Sequence, residues 1–190
     1  MQEADHLAHF ENLLRLQFGV LHSEWDQIRE YVQIEEVSRN EYFVKQGKVC
    51  HRLGFICEGV FRICMERDGT DITCYFVCED NFVGDPESFK SRTPSKLNMQ
   101  ALTDAIVITF DRKLMTDMPR FPEIITAIDK KVMMGLLAQR DFIQNEDAAT
   151  KYQKFLESYP HILQRVPLGI VASFLGITQQ SLSRLRKNIS

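Results

Sequence analysis

The stretch Leu53–Cys64, which runs Leu-Gly-Phe-Ile-Cys-Glu-Gly-Val-Phe-Arg-Ile-Cys, consists of two apolar runs that meet at Gly59. β-Branched and aromatic residues favour strands, and a glycine between two such runs marks a turn. Asp68-Gly69 then separates this stretch from the apolar run Ile72–Val77, and Asp-Gly in that position is a strong two-residue hairpin signal. These residues therefore predict consecutive antiparallel strands.

The same alternation of short strands and turns extends from about Val37 to Phe110. Tyr42–Val44 and Ala105–Phe110 are further runs of this kind, and Gly47 marks another turn. Short strands at this spacing are typical of a closed or double-sheet antiparallel barrel, such as a β jelly roll. The middle of the chain is therefore predicted to be a jelly roll.

Helical patterns flank the strands on both sides, which makes the predicted fold class α+β. Residues 1–35 are expected to form two helices, the second with Ser23 as its N-cap. After the strands, a long helix is expected with Pro122 in its first turn, followed by a shorter helix over Ala148–Leu156. Asn145–Asp147 lies between these two helices and is expected to act as a hinge.

Apolar side chains along the long helix recur in steps of three and four, as in a coiled-coil seam. The seam predicts a dimer interface formed by Ile125, Ile128, Val132, Gly135, Gln139 and Phe142. The alternative is that this apolar face packs on the barrel. In the dimer interpretation, the residues available to cover the barrel are Met133, Met134, Leu136 and Leu137.

The composition is that of an ordinary globular protein, with 44% hydrophobic and 26% charged residues. No apolar run approaches the roughly 20 residues that span a bilayer. A secretory signal peptide begins with a basic segment followed by an apolar one, but these positions here include the acidic residues Glu3, Asp5 and Glu11. A cytoplasmic location is therefore expected.

The five cysteines are odd in number and include no Cys-x-x-Cys pair: Cys50, Cys57, Cys64, Cys74 and Cys78. This argues against a disulfide framework or a zinc ribbon and favours buried, reduced thiols. The alternative, a redox or iron–sulfur sensor, rests only on the spacing between Cys74 and Cys78.

The sequence also gives no support for an enzyme, because it contains no GxSxG, P-loop or HExxH motif. No cofactor and no metal site are predicted.

Charge is unevenly distributed along the chain. Residues 151–190 carry six Lys or Arg and one acid, a net charge of +5, whereas residues 1–150 carry −8. A basic tail on an acidic body indicates that only the tail meets a polyanion. The alternative is a solvated terminal helix.

Residues 167–187 have the pattern of two short helices joined by a turn. Ala172 is small enough for the second helix to cross closely, and Gly176 follows the first helix where a left-handed residue is favoured. Thr178 suits the N-cap of the second helix, whose buried face would be Leu182 and Leu185. This pattern predicts a helix-turn-helix.

The outer face of the second helix has the chemistry of a DNA major-groove reader. Gln can bond adenine bidentately, Arg can bond guanine, and Lys, Ser and Thr can hold phosphates. The alternative is a polar, solvent-facing helix of a bundle. The predicted DNA-binding residues are Thr178, Gln179, Gln180, Ser181, Ser183, Arg184, Arg186 and Lys187.

With these residues in view, the chain resembles the Crp/Fnr family of bacterial transcriptional regulators. Lys45–Lys48 followed by Leu53–Arg62 looks like the family's early hairpin, and Ile177–Arg184 looks like its recognition-helix motif. The resemblance implies a cyclic-nucleotide-binding-like sensor domain over residues 1–121, a dimerisation helix over 122–145 and a helix-turn-helix domain over 146–190. By that match, Gln179, Gln180 and Arg184 would contact base edges.

The sequence departs from the family's phosphate-binding cassette. Gly84-Asp85 matches its start, but Ser95 stands where cyclic-nucleotide-binding members have the arginine that pairs with the phosphate, and Lys96 follows. Arg92 or Lys96 would be the only substitutes, and a lysine offers a point charge rather than a fork. The hypothesis is that cyclic AMP is not the effector.

The resemblance thus implies a homodimeric regulator of transcription that binds double-stranded DNA, with an unknown small-molecule effector and RNA polymerase as further partners. A second departure is that the chain ends at Ser190, directly after the predicted recognition helix, so no β-hairpin wing is expected. The overall acidic charge keeps one alternative open, a ligand-binding sensor or adaptor that no longer binds DNA.

Overall fold

The computed structural model describes residues 3–144 and 146–189, without the side chains of residues 135, 136, 138–144, 188 and 189. Its strands are β1 (Val32–Val37), β2 (Tyr42–Val44), β3 (Arg52–Glu58), β4 (Val60–Arg67), β5 (Thr70–Cys78), β6 (Phe82–Val83), β7 (Asn98–Ala101) and β8 (Ala105–Asp111). Its α-helices are α1 (Glu3–Phe18), α2 (His22–Ile28), α3 (Pro86–Ser91), α4 (Leu114–Asp117), α5 (Phe121–Gln144), α6 (Ala148–Ser158), α7 (Leu168–Leu175) and α8 (Gln179–Ile189). The protein is therefore α+β, as predicted.

The strands form two four-stranded antiparallel sheets. Sheet A has the order β1-β8-β3-β6, and sheet B has the order β2-β7-β4-β5. The predicted hairpin joins β4 to β5, and its two turn residues, Asp68 and Gly69, both have positive φ values of 52° and 75°. Positive φ at both positions matches the right-handed twist of the flanking strands, which explains the Asp-Gly sequence.

Apolar side chains fill the space between the two sheets. The ring of Phe43 from sheet B reaches sheet A at Gly54, where an added Cβ would lie 3.1 Å from that ring and 2.3 Å from Val107. Gly54 is therefore required for the close approach of the sheets. Phe43 also meets Phe61 with ring centroids 6.2 Å apart, so aromatic rings occupy the middle of the roll.

The N-terminal helices cover the outer face of sheet A. Phe10 of α1 stacks on Phe55 with ring centroids 4.7 Å apart, and also contacts Phe110 at 6.0 Å and Trp25 at 5.8 Å. Phe10 is buried. Aromatic pairs of this kind stabilise packing beyond the area they bury, so this ring anchors the N-terminal segment to the roll.

Two N-terminal predictions were wrong. The helical segment ends at Tyr31, because Val32–Val37 pairs along its whole length with β8 as strand β1. Ser23 lies inside α2, whose N-cap is Leu21. The Leu21 amide donates to Glu24 at 2.8 Å, so a carboxylate one turn ahead, not a serine hydroxyl, satisfies the helix start.

The C-terminal helices α6 and α7 cover the outer face of sheet B, and α8 packs on these two helices. Their buried side chains share one apolar cluster with Val60, Phe76 and Leu102 of the roll. The remaining buried apolar residues form a second cluster within the roll, α1, α2 and α5. Both outer faces of the roll are thus covered by helices of the same chain.

All five cysteines are free thiols; Cys50 and Cys64 are buried, as predicted, whereas Cys57, Cys74 and Cys78 are only half-buried. Burial raises the pKa of Cys50, Cys57 and Cys64 to about 11, so these thiols stay protonated and unreactive near neutral pH. Among the described residues, no three metal-ligating side chains are grouped as a metal site. No described helix is long and apolar enough to cross a membrane.

We expect Phe10→Ala to lower the free energy of unfolding by about 3–5 kcal/mol, because it removes a buried ring from four aromatic neighbours. Urea titration measures this loss. Leu16→Ala on the same helix is the control, since Leu16 is 78% exposed and its loss should change stability by less than about 0.5 kcal/mol. Equal effects of the two substitutions would contradict the anchoring role of Phe10.

Candidate nucleic-acid interface

Helix α7 begins after Pro167, whose fixed φ suits the start of a helix. Its buried face consists of Val171, Ala172, Phe174 and Leu175. Ala172, the smallest of these, is buried and belongs to the same apolar cluster as Leu182 of α8. The two helices therefore share one core.

A tight turn at Gly176 ends α7. Gly176 has φ of +67° and its amide donates to the carbonyls of Ala172 and Ser173. The Ile177 amide also donates to the Ala172 carbonyl, at 3.0 Å. A left-handed residue lets these amides reach the last carbonyls of the helix, and glycine adopts that conformation without steric cost. The turn thus has the geometry that the sequence predicts.

Thr178 begins α8 as predicted. Its Oγ1 accepts a hydrogen bond from the Ser181 amide at 3.1 Å, which satisfies one of the free donors at the helix start. Leu182 is completely buried against α7 and Leu185 is half-buried. One face of α8 is therefore committed to the core.

The opposite face of α8 is exposed and contains no acid. All eight side chains predicted to bind DNA are exposed: Thr178, Gln179, Gln180, Ser181, Ser183, Arg184, Arg186 and Lys187. They form one continuous polar and basic surface because seven of them lie within three turns of the same helix. This surface can donate and accept hydrogen bonds and can attract a polyanion.

An ion pair that the sequence did not suggest joins the segment before α7 to the roll. Arg165 donates to both carboxylate oxygens of Glu79, at 3.0 and 2.6 Å. Burial alone would raise the pKa of Glu79, but hydrogen bonds from Arg165 and backbone amides outweigh it and hold that pKa below its ordinary value. Both partners are therefore charged at neutral pH. Sequence reasoning had no signal for this pair because the two residues lie 86 positions apart.

The first residues of the predicted dimer seam on the long helix α5 pack against the chain's own core. Ile125 and Ile128 are 0% and 1% exposed in the chain's own core, and Val132 packs against that core. A side chain buried within its own chain has no surface for a partner, so these residues hold α5 to the roll. Gly135 and the side chains of Gln139 and Phe142, the rest of the predicted interface, are among those whose burial the structure does not describe. Among the α5 side chains that the structure describes, the large exposed apolar ones are instead Met133, Met134 and Leu137.

The segment that corresponds to the phosphate-binding cassette is satisfied by its own side chains. The Asp85 carboxylate accepts from the Ser88 amide at 3.0 Å, at the start of α3. The Asp85 amide donates to the Cys50 Sγ at 3.4 Å, and Pro86 contributes no amide hydrogen. Gly84, with φ of +128°, lies tight against Leu53. The polar groups at the start of α3 are therefore bonded within the chain itself.

The other predicted effector residues do not converge on a common point. Ser95 is buried, and its hydroxyl is bonded to the backbone of Leu97 in its own loop. Arg92 ends α3 in a left-handed conformation and is exposed, as is Lys96.

Arg112, which the sequence prediction did not include, donates to the carbonyls of Phe89 and Lys90 at the end of α3. Lys90 in turn bonds to Asp129 of α5 at 3.0 Å. The cassette helix is thus tied directly to the long helix.

Comparison with known proteins finds one matching family model and solved structures of similar fold. Residues 34–119 match the cyclic nucleotide-binding domain family. The structure of FixK2 from Bradyrhizobium japonicum matches with a TM-score of 0.71 at 13% identity, covering 83% of this chain and 84% of that one. The regulator CLP of Xanthomonas campestris, described as responsive to c-di-GMP, matches with a TM-score of 0.69 at 14% identity, covering 86% and 89%.

A protein from Eubacterium rectale described as a transcriptional regulator of the crp/fnr family matches equally well. Its TM-score is 0.71 at 13% identity, and the match covers 93% of this chain and 87% of that one. No curated protein is significantly similar in sequence. At these identities the structural matches establish the fold.

Proposed function

We propose that this chain, which contains a cyclic nucleotide-binding domain and has the fold of the Crp/Fnr regulators, is a sequence-specific DNA-binding regulator of transcription. The observation that carries the proposal is the exposed, acid-free face of α8 behind a glycine turn and a threonine cap. In this interpretation α7 and α8 are a helix-turn-helix, and no enzymatic step is involved.

Gln179, Gln180 and Arg184 are the proposed readers of base edges. They stand in the first two turns of α8, the part of a recognition helix that enters the major groove. Glutamine matches adenine and arginine matches guanine by paired hydrogen bonds. Thr178, Ser181, Ser183, Arg186 and Lys187 are the proposed phosphate contacts, which position the helix and make binding dependent on salt.

A homodimer is proposed to form through α5. Met133, Met134 and Leu137 are 52%, 59% and 48% exposed, and Leu137 lies four residues after Met133 and three after Met134, so the three share one side of the helix. This surface replaces Ile125 and Ile128 as the start of the dimer interface, because the roll already covers those two residues. A two-fold dimer would read two half-sites about 34 Å apart, one turn of DNA.

The effector is proposed not to be cyclic AMP. The cassette's donors bond to Asp85 and Cys50, and the middle of the roll is filled by Phe43 and Phe61. The arginine that would pair with a cyclic phosphate is replaced by Ser95, whose hydroxyl is bonded within its own loop. Binding would have to break these contacts before making new ones.

A sensor or adaptor without DNA binding is the second candidate, favoured by the charge of −8 on residues 1–150. Selection of bound duplexes from a random pool, repeated at several salt concentrations, separates the two candidates. Enrichment of a site with a steep salt dependence supports the regulator. Failure to enrich any sequence under all conditions supports the adaptor.

Arg184→Ala should weaken binding to the selected site by roughly 1–3 kcal/mol and relax the preference at one base position, if Arg184 reads guanine. Lys187→Ala is the matched control, since loss of a phosphate contact should weaken binding to all sequences about equally. Titration of a set of single-base variants of the site measures both effects. Uniform weakening by Arg184→Ala would assign that residue to phosphate instead.

Cyclic AMP should produce no binding heat in calorimetry up to about 1 mM, because the phosphate site is self-satisfied. A cyclic-AMP-binding protein of the same fold, titrated under the same conditions, is the positive control. A dissociation constant below the millimolar range for this chain would contradict the proposal.

Leu137→Glu should convert the dimer to monomer, because the charge would be buried at the proposed interface. Leu16→Glu is the matched control, since Leu16 is another exposed leucine that lies on α1. Light scattering coupled to size-exclusion chromatography measures the mass. A dimer that survives Leu137→Glu, or one that Leu16→Glu disrupts equally, would place the interface elsewhere.

A further inference from the structure

The contact between the C-terminal helices and the roll has an aromatic centre. Phe76 of β5 contacts Phe174 with ring centroids 5.0 Å apart, Tyr159 at 5.8 Å and Phe155 at 6.0 Å. Phe76, Phe155 and Phe174 are all buried. The side chains of α6 and α7 therefore pack on sheet B as a core rather than as a loose surface contact.

Polar contacts fix the position of α7 along the sheet. Strand β5 is at the edge of sheet B. Ser173 of α7 completes that edge, because its Oγ accepts from the Thr73 amide at 3.1 Å and donates to the Asp71 carbonyl at 3.2 Å. The bidentate pair between Arg165 and Glu79 holds the segment that precedes α7. Directional bonds of this kind select one register, which apolar packing alone does not.

Docking leaves the proposed DNA-reading surface uncovered. Helix α8 is joined to α7 by a shared core in which Val171 and Leu182 are completely buried. Holding α7 on the sheet therefore also holds α8. Gln180 and Arg184 remain exposed in this arrangement, so the contact orients α8 without hiding it.

We infer that Arg165, Glu79 and Ser173 are positioning residues that hold the C-terminal helices docked on sheet B and set the orientation of α8. This inference rests on the proposed function and deepens it: docking on the chain's own roll places α8 so that a dimer can engage two half-sites at once. A docked pair of α8 helices engages both half-sites with little further loss of orientational freedom. If the helices were undocked, each α8 would still bind one half-site. The gain in affinity from binding both half-sites at once would be mostly lost.

The test compares the affinity of the full-length protein for a selected palindromic duplex with its affinity for a duplex carrying one half-site. Arg165→Glu places two like charges together and should reduce the ratio of full-site to half-site affinity by about tenfold, leaving half-site affinity nearly unchanged. Arg165→Lys keeps the charge and should retain most of the ratio. Lys113→Glu, an exposed site outside the C-terminal helices, makes the same change in net charge and should leave the ratio unaltered.

Ser173→Ala provides a second variant, because it removes the two bonds to β5 while alanine favours the helix. It should also lower the ratio. Hydrogen exchange in the absence of DNA and ligand measures docking directly, since the Thr73 amide should exchange slowly in the wild type and faster in Ser173→Ala.

The outcomes separate this inference from the function on which it rests. If the wild type selects no DNA, the proposed function fails. If the wild type binds but Arg165→Glu and Ser173→Ala keep its ratio or raise it, DNA recognition stands and the positioning role is overturned. Fast exchange of the Thr73 amide in the wild type would also overturn it.

Discussion

The burial of Phe76 among three aromatic side chains of the C-terminal helices is the interaction that gives this protein its architecture. A jelly roll with helices on one outer face alone would leave sheet B exposed to water. Here α6 and α7 bury the outer face of sheet B, and the sheet buries the apolar faces of these helices. Each surface is apolar, so each is shielded from water only by the other. This contact also determines the position of the proposed DNA-reading helix, because α8 packs on α7.

Charge and hydrogen bonding refine what apolar packing establishes. Asp71 of β5 carries two roles, because its carboxylate binds the buried Arg62 at 3.1 and 2.6 Å and its carbonyl accepts from Ser173. Arg62 is 7% exposed and also bonds to Gln100 and Thr73. A buried guanidinium is tolerated only when its donors are matched. The outer face of sheet B is thus ordered by a polar network beside its aromatic contact.

The segment around Gly84 and Asp85 is held by hydrogen bonds within the chain. The Asp85 carboxylate accepts from the Ser88 amide, the Cys50 Sγ accepts from the Asp85 amide, and Arg112 donates to the carbonyls of Phe89 and Lys90 at the end of α3. The bond between Lys90 and Asp129 still links this corner to α5. Contacts within the chain thus connect this segment directly to the long helix.

Turns and helix caps near the predicted sites could be predicted from the sequence, because they depend on interactions between residues close together in the chain. The β4–β5 hairpin, the Gly176 turn and the Thr178 cap each depend on a few neighbouring residues, and all three lie as predicted. Strands β1, β6 and β7 escaped prediction. Strand β1 carries glutamine and two glutamates, and it exists because β8, more than 60 residues away, pairs with it.

What the tertiary structure alone decided is which face of each helix meets which neighbour. Helix α5 is apolar on more than one side, so its periodicity could not show that Ile125 and Ile128 face the roll and that Met134 and Leu137 face outward. The ion pair between Glu79 and Arg165 could not be predicted either, because the two residues are far apart in the sequence. The sequence by itself determined the β4–β5 hairpin, the Gly176 turn, the Thr178 cap and the chemistry of α8. Their mutual placement depends on contacts between distant residues, which form only when the whole chain is folded.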